Sequence, residues 1–409
     1  MFASFERRRL RVTTKVLDLD ISSDLPETIK LPDDKQALIL FRFRGLPVGR
    51  VWASVKNGSV QLSEALVSMA DWPLWEAMLN DVLGFQPVPS YSPGPATVAI
   101  CTRDRPQDVD RCLQGLLKLT GDPPEILLID NCPSSDATHQ IALRYGDRVR
   151  YVREEIAGLN RARNRALKEA RHEIVAFTDD DTVTDPAWLT NLLRNFYDPM
   201  VMCVTGLTMP LELETEAQEW FERHSPFCRG FLRKEYDLSV LHPLASSRVG
   251  AGANMALRRE ALQQVGPFDE ALDAGTPTRS GGDTEMFSRI LANGYRIVYD
   301  PAALSWHRHR STWSELIKAI YGYGVGAYAI FTKALFFEGE WFVPALALQW
   351  FFYDQLPKLI RSLVHWPGSF PLAMILAELR GCLAGPQAYL ASRTTDERRS
   401  AQSLAKAPR

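Results

Sequence analysis

The stretch Glu173-Ile174-Val175-Ala176-Phe177-Thr178-Asp179-Asp180-Asp181-Thr182 constrains the fold more than any other part of the chain. Its apolar run, Ile174 to Phe177, predicts a buried strand of a parallel sheet that ends in three consecutive carboxylates. Three adjacent anions repel one another, so a fold keeps them together where a cation, or a cation-bound phosphate, neutralises them. In open α/β sheets ligands bind at the carboxyl ends of the strands. Asp179, Asp180 and Asp181 therefore point to a metal–diphosphate site. The competing reading is a solvated acidic turn before a helix over Pro186–Phe196, with Asp185 as N-cap and Pro186 at the first helical position.

Strands alternate with helices on either side of this stretch's N-terminal approach. Thr97–Thr102, Glu125–Asp130 and Val149–Val152 read as strands, and Asp108–Leu119, Ser135–Tyr145 and Gly158–Ala170 as helices. That alternation implies right-handed βαβ units and a parallel sheet. Three polar strand ends, Thr102-Arg103, Asp130-Asn131 and the acidic triplet, would then line one edge, as a nucleotide-binding crevice requires.

The flanks divide by pattern. Residues 1–86 alternate in a β-like way, with Asn57-Gly58 as a turn and a helical pattern over Leu62–Leu83, and form a small accessory β-rich α+β domain. Residues 87–96 are a Pro-rich linker. A central domain over 97–310 follows, then a helical region over 311–391 and a polar, disordered tail over 392–409. A chain of 409 residues has room for two or three cores, and a net charge of −2 gives no basic excess for nucleic acid. The six cysteines show no metal-finger spacing, which fits a reducing compartment. The basic start Met1–Arg9 has no apolar run behind it, so no signal peptide is expected and the protein reads as cytoplasmic. The apolar stretches Trp341–Tyr353 and Phe370–Leu383 are too short to span a bilayer. They read as amphipathic helices that either lie on an anionic membrane face, as a peripheral protein would, or cover the core or a dimer interface.

The motifs Thr97–Pro106, Leu128-Ile129-Asp130-Asn131, Ala162-Arg163-Asn164 and Asp179-Asp180-Asp181 together resemble those of family 2 glycosyltransferases. The match continues through Gly252–Arg259, Val265–Asp269, Gly281-Gly282-Asp283-Thr284-Glu285 and Trp306–Arg310. The resemblance implies a GT-A fold, a Rossmann-like nucleotide-diphospho-sugar transferase core. It implies transfer from a nucleotide-sugar donor, UDP-linked by expectation, to a hydroxyl acceptor such as a sugar or lipid-linked glycan. By that resemblance Thr102, Arg103, Asp130, Asn131, Arg163, Asp179 and Asp180 contact the donor. Asp181, Asp179 and His307 hold a divalent cation, Mn²⁺ or Mg²⁺. Asp283 is the general base, with Glu285 second, and Gly281, Gly282, Glu285 and Trp306 face the acceptor. Asn131 stands where the family often has a second acid, and Gly282 where it usually has the first acid of a pair.

The residue chemistry suits those roles. Carboxylates offer hard oxygen ligands, a guanidinium matches phosphate geometry, and an acid at a helix start takes up a proton. Structural readings compete: Asp130 as a turn cap, Asp283 as an N-cap, Arg163 on a solvated helix face and His307 on the surface. A haloacid-dehalogenase-type phosphohydrolase shares the D-x-D-x-[TV] pattern of Asp179–Val183, but there the signature belongs on the first strand. A nucleotidyltransferase shares the sheet and acid pair, and an inactive nucleotide-sugar-binding module is the non-catalytic alternative.

Overall fold

A computed structural model describes residues 14–85, 88, 89 and 91–406. The basic start Met1–Arg9, the linker positions Gln86, Pro87 and Ser90, and the tail residues Ala407–Arg409 lie outside the described residues.

The N-terminal part comprises β1 (Thr14–Asp20), β2 (Thr28–Lys30), β3 (Gln36–Phe43), β4 (Leu46–Ser54) and β5 (Ser59–Gln61), then α1 (Leu62–Met69) and α2 (Trp72–Leu83). Strands pair in the order β1-β3-β4, with β2 and β5 as a separate pair. β3 is buried on both faces. Ala37, Ile39 and Phe41 pack with Leu62, Met69 and Leu74, while Leu38 and Leu40 pack with Leu207, Met209 and Leu304 of the next domain. The single helix expected over Leu62–Leu83 is broken at Asp71. Its carboxylate caps α2 by accepting the Trp72 N–H at 2.7 Å, and Pro73 in the first turn has no N–H to continue the upstream helix.

The central domain runs β6 (Thr97–Thr102), α3 (Pro106–Leu116), β7 (Glu125–Asn131), α4 (Ala137–Arg144), β8 (Val149–Glu154), α5 (Leu159–Glu169) and β9 (Ile174–Asp179). It continues with β10 (Thr182–Thr184), α6 (Trp188–Leu193), β11 (Val201–Pro210), α7 (Glu216–His224), β12 (Lys234–Tyr236) and β13 (Asn254–Arg258). It closes with α8 (Ala261–Gln264), α9 (Gly282–Ala292) and β14 (Arg296–His307). The sheet order is β10-β14-β11-β13-β9-β6-β7-β8, with β12 beside β14. β9, β6, β7 and β8 are parallel, whereas β13 runs antiparallel between β9 and β11. Their unbroken apolar runs follow from burial on both faces: Ala99, Leu127 and Phe177 on one side, Val98, Leu128 and Ala176 on the other. Register sets Cys101 opposite Asp179 and Thr102 opposite Asp130, so the three polar strand ends are neighbours.

Among the described residues four α-helices follow, α10 (Trp313–Phe337), α11 (Val343–Trp350), α12 (Leu356–Leu363) and α13 (Leu372–Lys406), with a π-helical turn, Phe351–Gln355, between α11 and α12. α10 and α13 are tied into the central domain through Asp269. Lys333 of α10 lies 3.1 Å from its carboxylate, and the Tyr389 hydroxyl of α13 donates to it at 2.9 Å. Burial opposes ionisation of Asp269, yet Lys333 and the Ala271 N–H outweigh it and hold the carboxyl below its usual range. The helix running to Lys406 stands where a disordered tail was expected from Ser392. Among the described residues, no helix is long and apolar enough to cross a membrane.

Candidate functional site

β9 ends at Asp179, and Asp180 and Asp181 form the turn before β10, so the three carboxylates are not held alike. Asp179 and Asp181 turn toward His307, which ends β14, and ligand atoms of the three lie within 4.8 Å of one another. His307 Nε2 sits 3.1 Å from Asp181 Oδ1. Beyond that contact the oxygen is buried without a hydrogen-bond partner among the described residues, and His307 Nδ1 has none there. Two carboxylates and an imidazole make a donor set that fits a divalent cation. Burial alone would raise the Asp181 carboxyl, but His307 and then Arg105 hold it well below the usual range. Burial and the neighbouring Asp181 raise Asp179.

Asp180 is not a member of that trio. It accepts from the Thr102 hydroxyl at 2.6 Å and pairs with Arg105, whose Nη1 also lies 3.0 Å from Asp181. Burial pushes Asp180 up to about 6, against the pull of Arg105. Thr102 and Asp180 thus brace each other beneath the metal-type cluster. Arg103 is partly exposed, 3.8 Å from Asp104.

Arg163 is buried at 4% exposure, as expected of no solvated helix face. Its Nη1 donates to Asp273 at 2.7 Å and to Asn160 at 3.1 Å, and Asp273, Asp283 and Asp179 all keep it charged against burial. Its guanidinium and Asp283 both flank Gly252. Asp283 lies in the first turn of α9, not at its N-cap. Its Oδ2 accepts the Gly252 N–H and its Oδ1 the Thr284 N–H, both at 2.7 Å. A Cβ at Gly252 would stand 2.6 Å from the Arg163 guanidinium and 3.0 Å from Asp283, so glycine here lets both side chains come close to the backbone. Tyr323 of α10 closes the ring. Although the residue is 37% exposed, burial of its hydroxyl, opposed by Arg310 and aided by the charges of Asp283, Asp181 and Asp179, pushes that group up to about 12.

Asp130 is fully buried at the end of β7, where it accepts from the Tyr151 hydroxyl at 2.9 Å and leaves Oδ1 without a partner. Burial raises its carboxyl. Asn131 differs from its expected role, since its side chain is used inside the protein. It donates to the Ile156 carbonyl and accepts from the Gly158 N–H, both at 2.8 Å, which fixes the loop into α5.

Other expected acceptor-side residues face packing rather than the space above the acids. Glu285 is buried against Arg289 and Lys333, so no free carboxylate remains there. Gly281 packs on Ile330 and Gly326 of α10, and Gly282 on Asn160 and Asp273. Trp306 packs with Leu38 and Leu40 of the N-terminal sheet. Conversely, Arg105, Asp273, Arg310 and Tyr323 belong to the site without having been singled out. Arg105 follows Thr102-Arg103-Asp104, and Arg310 ends the basic run after His307, so position beside named motifs was the available signal.

Residues 97–266 match the family model described as Glycosyl transferase family 2. The pre-mycofactocin glycosyltransferase of Mycobacterium tuberculosis (strain ATCC 25618 / H37Rv) is 33% identical over 164 residues, 39% of this chain and 33% of that protein. The chain thus matches a third of that relative's length. Glycosyltransferase AglE of Haloferax volcanii is 24% identical over 239 residues, 56% of this chain and 72% of the relative. Among solved structures, the mannosyltransferase PcManGT from Pyrobaculum calidifontis, in complex with GDP-Man and Mn²⁺, aligns with a TM-score of 0.50 at 17% identity. The alignment covers 76% of this chain and 94% of that one, and the shared architecture is the GT-A fold.

Proposed function

Taking the family 2 glycosyltransferase domain at residues 97–266 as premise, we propose that this chain transfers a sugar from a nucleotide-sugar, UDP-linked, to a hydroxyl acceptor with inversion at the anomeric carbon. Residues 97–310 act as the transferase unit, residues 1–86 as its accessory domain. One observation carries the reading: ligand atoms of Asp179, Asp181 and His307 lie within 4.8 Å of one another, while Asp283 and the buried Arg163 together flank Gly252. A bound Mn²⁺ or Mg²⁺, held by those three residues, would neutralise the departing diphosphate. Asp130 and Arg105 border the donor side, Asp130 with a free oxygen suited to a nucleobase imide N–H. The acceptor oxygen forms its bond to the anomeric carbon as the sugar–phosphate bond breaks. The electron pair leaves with the nucleoside diphosphate, and Asp283 takes the acceptor's proton. Two backbone N–H groups fix the orientation of its carboxylate for that task.

The test is release of nucleoside diphosphate from UDP-sugars and GDP-mannose. Release that EDTA abolishes and Mn²⁺ restores is expected; release from neither donor at any metal concentration refutes the reading.

We propose further that the C-terminal helices rest on an anionic lipid face, with a glycolipid or polysaccharide acceptor at the inner side of a membrane. Trp341, Tyr353, Leu363 and Trp366 are more than half exposed on one continuous segment around α11 and α12. Arg361 and Arg380 nearby are exposed and have no ion-pair partner among the described residues. Aromatic rings with flanking cations are the composition of interfacial segments. Sedimentation with phosphatidylglycerol vesicles is expected for the wild type and lost in the double variant Trp341→Ser/Trp366→Ser. Equal binding to neutral vesicles, or no binding, counts against a lipid partner.

A further inference from the structure

His307 is the least anchored member of the metal-type cluster. A metal-binding histidine ordinarily donates its second ring nitrogen to a carboxylate or carbonyl that fixes the ring. Here His307 Nδ1 has no such partner among the described residues. On the Nδ1 side the ring is held by packing and chain position. Phe227 stands edge-on to it, with ring centroids 5.2 Å apart, and to His309 at 5.9 Å.

His309, two residues on, is tied down instead. Its Nε2 lies 2.8 Å from Glu222 Oε2 on α7, with both side chains 1% exposed. The other Glu222 oxygen pairs with Arg50, which comes from β4 of the N-terminal domain. Gln218, also on α7, donates to the His309 carbonyl at 3.4 Å. Arg50 and His309 thus take up one oxygen each of the buried Glu222 carboxylate, and removing Arg50 would leave one of them without its partner. The N-terminal domain is seated firmly enough to supply that charge. Arg42 pairs with Asp185 at 2.8 Å, Arg223 stacks over Trp52 at 3.6 Å, and Leu38 and Leu40 share a core with Leu304.

We infer that Arg50 is a positioning residue for the cation site: through Glu222 and His309 it fixes the end of β14, and with it the direction of His307. The accessory domain then sets metal affinity without touching metal or substrate. The inference rests on the cation reading of Asp179, Asp181 and His307.

The experiment is Mn²⁺ titration of the full chain by electron paramagnetic resonance, with thermal melting as a folding control. Wild type is expected to bind one Mn²⁺ per chain. Arg50→Met should weaken binding about 10-fold, while turnover recovers at saturating Mn²⁺. Arg50→Lys, which restores a cation beside Glu222, should regain most of the lost affinity. Arg44→Met, removing the exposed N-terminal pair with Asp81, should change nothing. Should Arg50→Met fail to fold, Arg50→Gln is read in its place with the same outcomes. Wild-type affinity in the Arg50 variant overturns the relay alone. Absence of Mn²⁺ binding by the wild type overturns the cation site, and the relay with it.

Discussion

In Asp283→Asn, turnover falls by a factor of about 10²–10⁴ while donor affinity stays within about threefold of wild type. The amide keeps the side chain's shape, and its oxygen can still accept the Gly252 or Thr284 N–H. What it loses is the capacity to take a proton. A purely structural Asp283 would show the opposite pattern, with turnover preserved and melting temperature lowered. Single-turnover rates and nucleoside diphosphate binding, measured on one preparation, separate the two outcomes. Asp283→Glu makes a useful companion: it keeps the base but lengthens the reach toward Gly252, where Arg163 and Asp283 already crowd.

Gly381→Val is expected to be the most destabilising single change in the C-terminal helices. α10 and α13 approach so closely that a Cβ at Gly381 would sit 2.1 Å from the Tyr321 carbonyl oxygen, and one at Gly324 2.3 Å from that of Glu378. Both obstacles are helix backbone, which cannot rotate aside as a side chain can. Valine forces the helices apart, and overpacking of this kind costs about 3 kcal/mol. The effect should reach the site as well, because α10 carries Tyr323 and the pair is fastened to Asp269 through Lys333 and Tyr389. A lowered melting temperature with weakened donor binding is the expected result. An unchanged melting temperature would mean that the helices do not touch here.

These two residues differ in how far the chain alone reveals them. Asp283 is legible because an acid between glycines and a helical pattern stands in a recognisable order of motifs. The edge formed by Thr102, Asp130 and the acidic triplet is equally legible, since period and strand order bring parallel strand ends together. The glycine contact of α10 with α13 is only half visible: spacing suggests close helices, and the partner helix stays unknown. Side-chain direction is the recurring gap. Asn131, Glu285 and Trp306 have the right chemistry beside the right motifs, yet backbone partners, Lys333 and the N-terminal sheet take them up. Contacts between residues distant in sequence are the other gap. Asp273 under Arg163 and Glu222 behind His309 join residues 110 and 87 positions apart, and nothing local marks either pair. The break at Asp71 belongs to a third kind, where a capping aspartate and a proline override a continuous helical period.

The most direct test of the account is the Mn²⁺ paramagnetic resonance spectrum of the wild type and of Asp181→Asn, each with and without nucleoside diphosphate. Asp179, Asp181 and His307 as one cation site predict a bound-Mn²⁺ signal in the wild type that sharpens in affinity when diphosphate is added, and its loss in Asp181→Asn. Equal Mn²⁺ binding by both proteins, indifferent to diphosphate, would contradict it.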